Sequence, residues 1–123
     1  MGELQGKRVL LVEDELFIAM HAEEILRDLG AEIVGPASSL QEAWSFVENE
    51  TFDCAMLDRN LNGEFSDELA QELKRRGVAV ILASGYGPIA SDRDLIVVSK
   101  PYDENMIAAA FRLVMKEQCL DSE

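Results

Sequence analysis

The chain has 123 residues, 48% of them hydrophobic, which predicts one domain over residues 1–123 with a core that needs neither disulfides nor a structural metal. Its 24 acidic against 11 basic side chains give a formal net charge of −13, which disfavours direct contact with nucleic acid or an anionic membrane. With no signal peptide and no apolar run near the roughly 20 residues that span a bilayer, a cytoplasmic protein is expected. Cys54 and Cys119 lie far apart, and Cys54 sits in an apolar run, so both read as free thiols of a reducing compartment.

Five short apolar runs read as strands: Val9 to Val12, Ile33-Val34, Cys54 to Leu57, Val78 to Ala83 and Leu95 to Val98. They are continuous rather than alternating, as in a parallel sheet covered on both faces. Helices separate them. Ile18, Ala22, Ile25, Leu26 and Leu29 mark one face of the first, which Gly30 stops. Ser39 caps the second, with Glu42 completing a capping box before Ala43, Trp44 and Val47. Phe65, Leu69 and Leu73 give the third its apolar face, and Lys74-Arg75-Arg76-Gly77 ends it. The last carries Ile107, Ala110, Phe111 and Val114, with Asp103 and Glu104 in its first turn after Pro101. Gly85 to Asp92, with two glycines and a proline, predicts only a short, labile fourth helix before the fifth strand. The pattern is that of a doubly wound α/β fold with right-handed crossovers, whose ligands bind beyond the carboxyl ends of the strands.

At those ends stand Glu13-Asp14, Asp58, Ser84-Gly85 and Ser99-Lys100-Pro101. Three carboxylates brought together need a cation to stay ionised, which points to Mg²⁺ or a similar oxygen-loving ion such as Mn²⁺. A metal and Lys100 to neutralise developing charge, with the Ser84 hydroxyl as donor, suit phosphoryl transfer to a carboxylate. Taken singly, each residue has a duller reading as a cap, a turn or a helix boundary. Their joint arrival at the ends of four strands favours a site. Asp58-Arg59-Asn60-Leu61-Asn62-Gly63 also matches the start of a calcium-binding EF-hand loop, but Leu69 occupies the closing position that needs glutamate. The first strand-to-helix turn lacks the glycines of a nucleotide site.

The set Glu13-Asp14, Asp58, Ser84 and Lys100-Pro101 resembles the receiver domain of two-component response regulators over essentially the whole chain. Val80-Ile81-Leu82-Ala83-Ser84-Gly85-Tyr86-Gly87 is similar to the branch, often of stand-alone receivers, marked by a Phe-Ala-Thr-Gly-Tyr motif, with Leu82 and Ser84 substituted. The resemblance implies a five-stranded flavodoxin-like sheet of order 2-1-3-4-5, with Mg²⁺ held by Asp14, Asp58 and the Asn60 carbonyl, and by Glu13 through water. It implies that Asp58 is the phosphoacceptor and that Lys100-Pro101 is a cis peptide. It further implies a donor phosphohistidine on a sensor histidine kinase or histidine phosphotransfer protein, and an unnamed downstream protein as target.

Two positions depart from the family. Val97 stands where receivers place a switching aromatic, and Tyr86 is weighed equally as its substitute and as a surface aromatic. Arg59, directly after the acceptor, is weighed between biasing phosphoryl access or partner choice and the favoured reading as a solvated surface arginine. His21 has no ligand partner at recognisable spacing. The resulting expectation is a phosphoacceptor signalling protein rather than a conventional enzyme, promoting its own phosphorylation and dephosphorylation and lacking an output domain. The alternatives are a constitutive docking module and a Mg²⁺-dependent phosphatase, the latter disfavoured because Asn60 cannot serve as its general acid.

Overall fold

The structure is a computed structural model that describes residues 2–85 and 95–121, without the side chains of 117–121. The apolar runs form β1 (Arg8–Val12), β2 (Glu32–Ala37), β3 (Cys54–Asp58), β6 (Ala79–Ser84) and β7 (Ile96–Ser99). All pair in parallel, in the order β2-β1-β3-β6-β7, which is 2-1-3-4-5 counted within this sheet alone. A second, two-stranded ribbon, β4 (Asn60–Leu61) and β5 (Glu64–Phe65), was not anticipated. The helices are α1 (Leu16–Asp28), α2 (Leu40–Asn49), α3 (Asp67–Arg75) and α4 (Glu104–Asp121). The short helix expected between the fourth and fifth long strands, together with Tyr86, falls outside the described residues.

Strand alternation divides the core into two layers. Val9, Leu11, Cys54, Met56, Ile81 and Val98 face Ala22, Leu26, Ile107 and Phe111 of α1 and α4. Leu10, Val12, Ala55, Leu57, Val80 and Leu82 face Ala43, Val47, Leu69 and Leu73 of α2 and α3. Because both sheet faces are covered, β3 and β6 carry no polar side chain until their last residues, and β1 carries one only at its first, Arg8. Burial pushes the Cys54 thiol up to about 11, as suits a packed thiol rather than a reactive one.

The helix ends follow the sequence with small displacements. The Ser39 hydroxyl accepts the Glu42 amide at 3.1 Å, but Glu42 reaches back to the amide of Ser38 at 2.7 Å, one residue earlier than a capping box requires. Asp103 caps α4 by accepting the Met106 amide at 2.9 Å. In α1 the buried set includes Ala19, while Ile18 is half-buried beside the core. Phe65 is a correction: it pairs with Asn60 in the ribbon, is 62% exposed, and precedes α3, whose buried face is Leu69, Ala70 and Leu73. The Asn62-Gly63 turn decides this, since both residues have positive φ (54° and 91°), the conformation of a two-residue hairpin turn. The hairpin turns the chain back before the helix can start.

Two phenylalanines separate burial from composition. Phe111 is fully buried, so Phe111→Ala is expected to lower the free energy of unfolding by about 3–5 kcal/mol. Phe17, 80% exposed on α1, should change it by no more than about 0.5 kcal/mol when replaced by alanine. Urea denaturation of the two variants checks both values, and equal losses would contradict this packing.

Candidate functional site

The register of the sheet assembles the acidic residues. Val12 pairs with Leu57, so Glu13 lies opposite Asp58 on the neighbouring strand end. Glu13, Asp58 and Lys100 continue the alternation of Leu11, Met56 and Val98, so all three belong to the α1 and α4 face. Ligand oxygens of Glu13, Asp14 and Asp58 come within 4.8 Å of one another, and among the described residues no other such metal-capable group is found. Glu13 and Asp58 are buried, whereas Asp14 is half-exposed at the mouth.

Lys100 closes the cluster. Its Nζ lies 3.1 Å from Asp58 Oδ1 and 3.4 Å from Glu13 Oε2. Its amide donates to the Ser84 carbonyl at 2.9 Å, which ties the end of β7 to the end of β6. The Lys100–Pro101 peptide is cis, as is Gly35–Pro36. Ser84 is buried one residue beyond Ala83, the register partner of Asp58. Asn60 donates its amide to Asp58 Oδ1 at 3.4 Å and opens the ribbon.

Electrostatics follow from burial. Glu13 is pushed up to about 7, first by desolvation and then by the Asp58 charge. Asp58 is raised by burial, with Lys100 the main opposing influence. Burial lowers Lys100, but the Asp58 and Glu13 carboxylates outweigh it and leave the ammonium more firmly protonated than usual. One ammonium against three carboxylates leaves net negative charge in a poorly solvated site. That donor set fits a hard divalent cation bound through oxygen.

Two residues were missed or misjudged from sequence. Tyr102 is 7% exposed, and its phenol is pushed up by burial and by the charges of Glu13 and Asp58. His21 stacks on it, with ring centroids 5.8 Å apart, and its Nε2 lies 3.5 Å from the Tyr102 carbonyl. These two, with Ile18, Lys100 and Pro101, line a cavity of about 270 Å³. The signal for Tyr102 was its place two residues after Lys100, but its burial depended on α1. Arg59 is a correction: it is 7% exposed and paired to Asp67, because the first turn of α3 folds over it.

The raised Glu13 value fixes a sign. A carboxyl held at about 7 when folded and near 4.5 when unfolded stabilises the fold below its unfolded value and loses that contribution as pH rises through 7. In metal-free buffer, the wild type should therefore lose more stability than Glu13→Gln between about pH 5 and pH 8. Urea midpoints at the two pH values test this, and a parallel fall in both proteins would rule it out.

A family model described as the response regulator receiver domain matches residues 9–112. Transcriptional regulatory protein PdtaR of Mycobacterium tuberculosis is 33% identical over 91 residues, covering 73% of this chain and 42% of the relative; the chain thus spans under half the length of the curated relatives it matches. The solution structure of SdrG from Sphingomonas melonis Fr1 superposes with a TM-score of 0.78 at 32% identity, over 94% of this chain and 99% of that one. The receiver domain of the Erythrobacter litoralis PhyR response regulator gives 0.80 at 26% identity, over 94% of each chain. Matched through nearly all of its sheet and helices, this chain belongs to the response regulator receiver domain family.

Proposed function

We propose that this chain is the receiver domain of a response regulator and takes a phosphoryl group onto Asp58. The carrying observation is the juxtaposition of Asp58 with Glu13, Asp14 and the Lys100 ammonium at 3.1 Å. An Asp58 oxygen attacks the phosphorus of a phosphohistidine, the P–N bond breaks, and the imidazole leaves with the electron pair. Lys100 offsets the charge that spreads over the phosphoryl oxygens, and the Ser84 hydroxyl donates to one of them. Asp14, Asp58 and the Asn60 carbonyl would hold Mg²⁺ or Mn²⁺, with Glu13 acting through water. The ion supplies charge neutralisation at the phosphoryl oxygens. Asp58 is both ligand and nucleophile, so its ionisation matters to both roles.

The donor in this reading is a sensor histidine kinase or a histidine phosphotransfer protein. Leu16, Phe17 and Met20, 68%, 80% and 55% exposed, open α1 immediately beyond Glu13-Asp14 and offer that donor an apolar surface next to the acceptor. The net charge of −13 favours a basic rim on the partner and disfavours nucleic acid or membrane. Among the described residues, no helix is long and apolar enough to cross a membrane, which supports a cytoplasmic setting. A phosphoryl group on Asp58 would draw Ser84 and alter the surface that a downstream protein reads. The same site would also promote loss of the phosphoryl group.

Intact mass after incubation with a small phosphodonor tests this reading. One phosphoryl adduct is expected on the wild type with Mg²⁺, and none on Asp58→Ala or in EDTA. Lys100→Ala should slow adduct formation by roughly 10²-fold. A folded wild type that takes no adduct from an active donor would instead support a constitutive docking module.

A further inference from the structure

Arg59 separates two groups assigned to the cation, the Asp58 carboxylate and the Asn60 carbonyl, and it is anchored on every side. Its amide donates to the Ala83 carbonyl of β6 at 2.9 Å, and its carbonyl accepts the Ser66 amide at 2.9 Å. Its side chain makes a two-pronged contact with Asp67 of α3, Nε to Oδ1 at 3.2 Å and Nη2 to Oδ2 at 2.7 Å. Ser66 occupies the N-cap position of α3 yet makes no side-chain cap. Its hydroxyl, fully buried, donates to the Asp58 carbonyl at 2.8 Å and lies 3.4 Å from that of Arg59. The ribbon beyond is stitched by Asn60 with Phe65, and by the Gly63 amide on Asn60 Oδ1 at 2.7 Å.

A serine at the N-cap position ordinarily serves its own helix, and a guanidinium as buried as that of Arg59 is costly to desolvate even when paired, here with the partly exposed Asp67. Here both features point back at the acceptor strand. We propose that Arg59, Ser66 and Asp67 form a positioning clamp that fixes the Asp58 and Asn60 main chain for a divalent cation. Arg59 touches neither cation nor phosphoryl group; it acts through the backbone on either side of it. The inference rests on the reading of Asp58 as part of a cation site.

Charge and position make opposite predictions, which allows a decisive test. Removing a cationic side chain beside a cation site should tighten binding if only Coulomb forces act. If Arg59 positions the ligands, Arg59→Met should weaken Mg²⁺ binding about 10-fold, the size of effect seen for groups that orient metal ligands. Arg59→Lys keeps the charge and loses the fork, and should be weakened as well. Mg²⁺ affinities come from titration calorimetry, with thermal melts confirming that each variant is folded. Unchanged or tighter binding in Arg59→Met, or wild-type affinity in Arg59→Lys, overturns the clamp while leaving the cation site standing. A wild type that binds no Mg²⁺ removes both.

Amide exchange in the wild type covers the case in which a variant fails to fold. The clamp requires the Gly63 and Ser66 amides to be protected before Mg²⁺ is added and to change little afterwards. Exchange at unprotected rates in metal-free protein overturns it.

Discussion

Burying like charges together is costly, and the rest of this structure is arranged around a place where that happens. Glu13 and Asp58 stand at the ends of adjacent parallel strands, each preceded by four apolar residues, so neither carboxylate has polar sheet surface immediately beneath it. Solvent reaches them only from the open end of the sheet, where Asp14 sits half-exposed. Lys100 offsets part of the charge, but burial still raises both carboxyls, and the Asp58 charge raises Glu13 further. A site held in this condition has a strong preference for cations and for chemistry that spreads negative charge over oxygen.

The elements around the site differ in how they are secured. The sheet fixes Glu13 and Asp58 through register, which cannot slip without moving apolar side chains between the two core layers. Lys100 is set by its amide on Ser84 and by the packing of Tyr102 below it. Beyond the Arg59 amide on Ala83, the stretch between β3 and α3 has no backing from the sheet, and it is held by a hairpin, a buried serine and the Arg59–Asp67 pair. α1 is different again. Its inner face packs Ala22, Ile25 and Leu26, while its first turns present Leu16 and Phe17 to solvent. An apolar surface beside a charged site is the usual composition of a protein-docking patch.

The sequence by itself determined the sheet and most of the site. Short continuous apolar runs alternating with amphipathic stretches read as strands covered on both faces, and acidic or basic residues ending such runs gather at one edge. Glu13, Asp14, Asp58 and Lys100 were legible for that reason, as was the cap at Ser39. The ribbon was hidden because its strands have two residues each, too short for any periodicity, and Phe65 was read into α3 by its spacing from Leu69. Asn62-Gly63 carried the missing signal, a hairpin dipeptide.

Burial of polar residues was decided only by tertiary structure. Arg59 and Tyr102 look like surface residues in sequence, because nothing local says that α3 folds over one and α1 packs beside the other. Whether a guanidinium is solvated or clamped depends on a carboxylate eight residues away, and that distance is set by a turn rather than by spacing. Sequence pattern records which side chains avoid water. It does not record which polar groups have found a partner that lets them leave it.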